Sequence, residues 1–296
     1  MRFRVTHKTE YLYSGPVALC RNQAYLLPRQ TPWQNCLASN LRVDPVPVDL
    51  RERTDPFGNR VSHFALQEAH KKLSVTATSD VEVTLDSGLF ASANRLSWNQ
   101  LSAQLRNNKS SAVLAALPFL YDSPLAGRMP ALLDYAQPSF PDGRPLAEAV
   151  TDLMTRIYQD FSYQPGATTV STPLAEVLQK RKGVCQDFAH LGVACLRSIG
   201  LPARYVSGYI ESLPPPGQPR LVGADASHAW FSVFTGDAGW LDFDPTNNQL
   251  IAEQHVTVAW GRDFDDVSPL RGVALGGGEH SVKVSVDVER MSETLS

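Results

Sequence analysis

A cysteine at the start of a helix, with a histidine and a carboxylate on neighbouring strands, is the set of residues in this chain that could carry nucleophilic chemistry. The cysteine is Cys185, inside the stretch 180–208 that reads KRKGVCQDFAHLGVACLRSIGLPARYVSG. The pattern predicts one helix ending near Lys182 with Gly183 as its cap. It predicts a second helix from about Cys185 to Ser198 or Ile199, stopped by Gly200, Leu201 and Pro202. At the first turn of a helix the free N–H groups and the dipole favour a thiolate over a thiol, which makes the sulfur a nucleophile near neutral pH. The second helix is apolar almost all round, so it should be buried and serve as a rigid mount for the group at its tip.

A nucleophilic thiol needs a base, and the base needs a group to orient it. Residues 227–235 (SHAWFSVFT) read as a strand in which His228, Trp230 and Ser232 share one face. After the turn Asp237-Ala238-Gly239, the strand 240–244 (WLDFD) places Trp240, Asp242 and Asp244 on one face. A hairpin of the two sets an imidazole beside a carboxylate. Period-two alternation does not choose between Asp242 and Asp244, which have the same parity.

The rest of the chain must position these groups. The 296 residues suggest about two domains; 43% hydrophobic and 19% charged content is that of an ordinary globular protein. A net charge of −3 gives no reason to expect nucleic acid or an anionic membrane as partner. No apolar run approaches the roughly 20 residues that span a bilayer. The alternating start MRFRVTHKTEYLYSG lacks the apolar core of a signal peptide, so a cytoplasmic location is expected. Residues 1–100 alternate with period two between turn signals and predict an N-terminal β-sandwich. Residues 101–143, punctuated by prolines, read as a helical connection, and 144–296 as the catalytic domain. In that domain an amphipathic helix opens at Pro145 and a short helix over 174–182 follows Thr172 as its N-cap. Helices followed by antiparallel strands indicate an α+β architecture. The proline-rich stretch 212–223 reads as a long loop beside the strands.

Several of these motifs together resemble the bacterial transglutaminase-like family: Gly183-Val184-Cys185-Gln186-Asp187-Phe188-Ala189-His190, Gly200 to Tyr209, Ala226-Ser227-His228-Ala229-Trp230, and Gly239-Trp240 with Phe243-Asp244-Pro245-Thr246-Asn247. The resemblance is strong over about 150–296, and the N-terminal strands look like the β-rich domain that precedes the core in that family. It implies a papain-like α+β fold with the thiol on the central helix and His and Asp on the sheet. It also selects Asp244, four residues after the tryptophan of the Gly-Trp pair, as the acid of a triad with Cys185 and His228. The implied chemistry is acyl transfer from an amide through a thioester, with a peptide or protein as substrate. Hydrolysis by a cysteine protease or amidase is the favoured outcome, transfer to an amine the alternative, and a non-catalytic binding module on the same fold the second alternative.

Other residues read as structural. His190 is five positions after Cys185, roughly 140° round the helix, and is not placed to be the base. Asp187, in the first turn, reads as a cap. His7, His63 and His70 stand alone, Cys20 and Cys36 read as small core residues, and Cys195 as a buried helical thiol. The basic run Lys180-Arg181-Lys182 complements the dipole of the helix it ends and adds positive charge near the thiol. Tyr163 and Gln164 are candidates for a side-chain oxyanion donor; Gln179 sits on the preceding helix and is not. No cofactor or metal is expected: there is no zinc spacing, Asp263, Asp265 and Asp266 lack the glycine and glutamate of a calcium loop, and Gly276-Gly277-Gly278 reads as a linker.

Overall fold

In the computed structural model, residues 1–84, 88–211 and 227–291 are described. The proline-rich stretch 212–223 and Leu85 lie outside the described residues.

Alternation builds the N-terminal sheet. Strand β1 (Arg2–Ala24) buries Phe3, Val5, His7 and Thr9 on one face. It is followed by β2 (Gln34–Asp44), β3 (Asp49–Thr54), β4 (Arg60–Leu66) and β5 (His70–Val83), in the spatial order β2-β5-β1-β4-β3. The first half of β1 pairs with β5 and the second half with β4. Even so, Leu73 and Val75 of β5 share one apolar cluster with Phe64 and Leu66 of β4 and with Val17 and Cys20 of β1. The sheet therefore folds across its longest strand and closes on its own interior, as a sandwich does.

Five helices come next: α1 (Leu89–Ala93), α2 (Trp98–Leu105), α3 (Ser111–Ala116), α4 (Pro130–Ala136) and α5 (Leu146–Asp160). The helices of 101–143 do more than connect. Leu101, Leu105, Val113 and Leu132 are buried in the same core as α5 and the cysteine helix. Then follow β6 (Ser162–Tyr163), α6 (Leu174–Lys180), β7 (Lys182–Gly183) and α7 (Cys185–Ser198). The second sheet contains β8 (Ala203–Ile210), β9 (Ser227–Phe234), β10 (Trp240–Asp244), β11 (Gln249–Leu250) and β12 (His255–Gly261), in the order β11-β10-β9-β8-β12. The last elements of the described residues are α8 (Phe264–Val267), β13 (Leu270–Gly276) and β14 (His280–Arg290). Among the described residues no helix is long and apolar enough to cross a membrane.

Helix α7 is the centre of the second half. Phe188, Ala189, Leu191, Val193, Ala194, Cys195 and Leu196 are all buried, each large side chain contributing about 1.5–3 kcal/mol. Its body lies on the Ala229/Phe231/Val233 face of β9, opposite to the face that carries His228. Gly192 permits that approach: a Cβ there would stand 2.3 Å from the Phe231 ring.

The last two strands leave the second half. Residues 270–290, read with it from the sequence, pair with β1 of the N-terminal sheet, from Val17↔Gly276 to Ala24↔Leu270 and from Phe3↔Arg290 to Tyr13↔His280. A 23-residue strand paired on one side only would expose a long row of unpaired main-chain groups, and β13 and β14 cover it.

The two sheets are joined by polar contacts as well. Strand β12 is the edge of its sheet. The Gln34 amide accepts from Thr257 N and donates to Thr257 O, both at 2.7 Å. The Asn59 amide does the same for Trp260, at 2.9 and 2.7 Å. Each side chain thus stands in for a strand residue. Beside them, the Arg29 and Arg204 guanidinium groups lie 3.1 and 3.5 Å from the Trp260 ring centroid, and Arg204 also lies over Trp240 at 4.2 Å.

Candidate active site

Cys185 is the first residue of α7, where the sequence expected it, and is half-buried. The approach to it differs from the expectation. Helix α6 ends at Lys180, and Arg181, not Gly183, takes the left-handed conformation, with φ of 54°. Arg181 is held there over the rings of Tyr135 and Phe161. Gly183 is needed for another reason: the Asp187 carboxylate folds back over it, and a Cβ would meet Oδ2 at 2.7 Å. In that position Asp187 accepts the Val184 N–H at 2.8 Å and the Thr168 hydroxyl at 2.7 Å, which caps the helix that starts with Cys185. Thr172 does not cap α6, whose N-cap is Pro173; its hydroxyl accepts the Thr169 N–H instead.

His228 stands at the start of β9, buried. Its Nε2 meets Asp244 Oδ2 at 2.8 Å, which leaves Nδ1 open, and the Cys185 sulfur is near enough to favour the protonated ring. Burial works against the charged imidazole, but Asp244 and then Cys185 outweigh it and hold the ring up at about 10. Burial also opposes the charge on Asp244. The donors on it, His228 first, then His255 and Asn247, more than offset this and keep the carboxyl well below the usual carboxylate range. The structure thus brings together all three residues singled out from the sequence.

Two neighbours were not anticipated. Asn247 donates from Nδ2 to Asp244 Oδ2 at 2.7 Å, while Asp244 Oδ1 takes the main-chain N–H groups of Thr246 and Asn247 at 3.0 and 3.3 Å. His255, on β12, reaches the same Oδ2 through Nε2 at 3.2 Å. The Ala252 N–H points at His255 Nδ1 at 3.2 Å, and the Ala252 carbonyl is already taken by the His255 N–H at 3.0 Å. That makes Nδ1 the acceptor and Nε2–H the donor to Asp244. The signal available in the sequence for Asn247 was its place three residues after the acid; His255 had none, because β12 and β10 are not adjacent. His228, Asp244 and His255 have ligand atoms within 4.8 Å of one another, a set that could hold a metal ion by geometry. Hydrogen bonds already account for the arrangement, with His228, His255 and Asn247 converging as donors on one carboxylate oxygen. Asp242, the other carboxylate of the same parity, is turned to different work: it accepts the Trp230 indole N–H at 3.2 Å and faces Arg204 at 4.0 Å.

The fold has known relatives. Residues 3–82 match the bacterial transglutaminase-like N-terminal region, and residues 135–245 match the transglutaminase-like superfamily. The chain belongs to the transglutaminase-like superfamily. An uncharacterized protein of Mycobacterium tuberculosis is 45% identical over 294 residues, 97% of this chain and 92% of its own length. A protein-glutamine gamma-glutamyltransferase of Pseudomonas aeruginosa is 32% identical over 123 residues, 35% of this chain and 18% of its own. A crystal structure of a candidate cysteine protease from Cytophaga hutchinsonii superposes with a TM-score of 0.72 at 23% identity, covering 99% of this chain and 92% of that one, which shows the shared fold.

The remaining residues of this transglutaminase-like chain fall into place around the site. His190 points away from it: Nε2 accepts the Phe264 N–H at 3.1 Å, the ring packs on Tyr205, and burial pushes it down to about 4. Tyr163, in β6 beside β7, has its hydroxyl pushed up by burial and by the nearby Cys185. Gln164 contributes its main-chain N–H to Gly183 O at 2.8 Å. Asp263 accepts the Asp265 and Leu125 N–H groups at 3.0 and 2.9 Å, and Asp266 pairs with Arg262 at 2.9 Å. Cys20 and Cys195 are buried, as expected. Cys36 is half-buried, because β2 bulges between Cys36 and Ala38 and turns it out of the core. His63 is exposed, whereas His7 is buried against Thr9 and the Tyr209 hydroxyl, both at 3.0 Å.

Proposed function

We propose that Cys185, His228 and Asp244 work as a Cys-His-Asp triad that transfers the acyl group of an amide, with a peptide or protein as substrate and water as the usual acceptor. The observation that carries this reading is the buried 2.8 Å pairing of His228 Nε2 with Asp244, which leaves Nδ1 available to the Cys185 sulfur at its helix start. The Cys185 thiolate attacks the carbonyl carbon while the imidazolium Nδ1–H stands ready for the leaving group. The C–N bond breaks, the amine departs with that proton, and a thioester remains. The Cys185 N–H, free at the first position of α7, is aimed to stabilise the intermediate oxyanion. Water then gives its proton to Nδ1 and attacks the thioester, releasing the acid and restoring the thiolate–imidazolium pair. Asp244 keeps the imidazole in the orientation that both half-reactions use.

Attack by an amine in place of water would give transamidation, a reading supported by the local similarity to the Pseudomonas aeruginosa glutamyltransferase. The test is a protein substrate incubated with a dansylated amine, followed for released ammonia, new α-amino groups and incorporated dansyl. Hydrolysis of a Gln side chain releases ammonia and hydrolysis of a peptide bond a new α-amino group, in either case without incorporated dansyl. A Cys185→Ala or His228→Ala variant that keeps wild-type product formation sinks the triad. So does iodoacetamide labelling of Cys185 no faster than that of half-buried Cys36.

A further inference from the structure

On the face of the N-terminal sheet turned away from its apolar interior, three adjoining grooves are lined in overlapping sets by Arg21, Arg51, Arg53, His63, Gln23 and Arg271. The strand register explains how they meet. Arg51 pairs with His63, His63 with Gln23, and Gln23 with Arg271, so one row crosses β3, β4, β1 and β13. At the usual spacing between strands that row is roughly 14 Å long. Arg53 follows Arg51 on the same face of β3, and Arg21 precedes Gln23 on the same face of β1. Four arginines stand on one surface of a chain whose net charge is −3.

Among the described residues, only Arg51 of the four is paired with an acid. The acids that line these grooves are Asp49, Asp55 and Asp266. Asp49 holds Arg51 at 2.8 Å, and Asp266 is taken by Arg262. Asp55 is spent on its own turn, accepting the Phe57 and Asn59 N–H groups at 2.9 and 2.8 Å and the Asn59 amide at 2.7 Å. Arg271 reaches neutral acceptors, Gln23 Oε1 and the Asp265 carbonyl. Among the described residues, the side chains of Arg21 and Arg53 have no hydrogen-bonded or ionic partner.

We propose that this face is a docking surface for an acidic, extended peptide segment of a partner protein. Arg51 and Arg53 alternate along β3 with the roughly 6.8 Å repeat of alternate side chains in an extended chain, so glutamates or aspartates at every second position come over them in turn. Arg21 and Arg271 reach acids on the flank of the same segment. Nucleic acid fits less well. Its single strands are gripped by exposed aromatic platforms between the cations, and the aromatic rings that line these grooves belong to buried Phe64 and Tyr25 and half-buried Phe57. The surface is independent of the Cys185 chemistry, and so is its test.

The measurement is fluorescence anisotropy of a fluorescein-labelled oligoglutamate peptide with the intact protein at low ionic strength, beside an oligoglutamine peptide and a single-stranded oligonucleotide. Wild type binds oligoglutamate, releases it as salt rises, and ignores oligoglutamine. The Arg21→Ser/Arg53→Ser double variant, which alters exposed side chains without partners, weakens binding about tenfold through two lost charge-assisted contacts. The proposal is overturned by absent binding, by equal binding of oligoglutamine, or by unchanged affinity in the double variant. Tighter binding of the oligonucleotide, lost in the same variant, overturns the peptide as occupant.

Discussion

Replacing Asp244 by asparagine should strip His228 of its proton at neutral pH while leaving the shape of the site nearly intact. An imidazole ordinarily titrates near 6.5, and in this site it is held at about 10. The difference of about 3.5 units corresponds to ~5 kcal/mol of preference for the imidazolium, drawn from the Asp244 carboxylate and the Cys185 sulfur. Asparagine can still accept the Nε2–H but carries no charge, and the burial that opposes the cation remains. The imidazole should then titrate several units lower, near or below 6.5. At pH 8 the wild-type ring is about 99% protonated, and the variant ring only a few per cent. The assay is nitrogen-15 NMR of histidine-labelled protein, with His228→Gln to assign the signal. A raised pKa adds stability that is complete below about 6.5 and is lost as pH rises through about 10. The variant should therefore be less stable than wild type at pH 6–8, and the deficit should shrink above pH 10. Turnover should fall by about 10³–10⁴-fold. A neutral His228 ring in the wild type at pH 8, or identical titrations in both proteins, refutes the reasoning.

Three other outcomes follow from named contacts. His255→Phe removes one of three donors on Asp244 Oδ2, and kcat/KM should fall about 10–100-fold with a displaced pH profile; a changed KM with an unmoved profile would contradict a positioning role. Gly192→Ala places a Cβ 2.3 Å from the Phe231 ring, so urea unfolding should show a loss of about 1–3 kcal/mol, and a neutral result would mean that α7 and β9 can separate. Burial pushes His7 down to about 4, so the stability it contributes is present above about 6.5 and is lost as pH falls toward 4. Thermal unfolding of His7→Gln should accordingly fall less steeply between pH 6.5 and 4 than that of wild type, and parallel curves would remove His7 from the acid response.

Local pattern was enough to start α7 at Cys185 and to lay out β9 and β10, because helix stops and period-two alternation are short-range signals. The same signals put Asp242 and Asp244 on one face and went no further. Tertiary structure divides their work: Asp244 meets His228 and His255, and Asp242 meets Trp230 and Arg204. Parity is a property of one strand, whereas a partner depends on register and on how a sheet curls. For the same reason His255 was invisible in the sequence, since it reaches Asp244 from a strand that does not pair with β10. Gly183 was legible as a glycine but not in its reason, which is a carboxylate folded over it from the next helix turn. The return of β13 and β14 to β1 was beyond any local reading as well. The unpaired edge of β1, roughly 250–290 residues earlier, decided where they went.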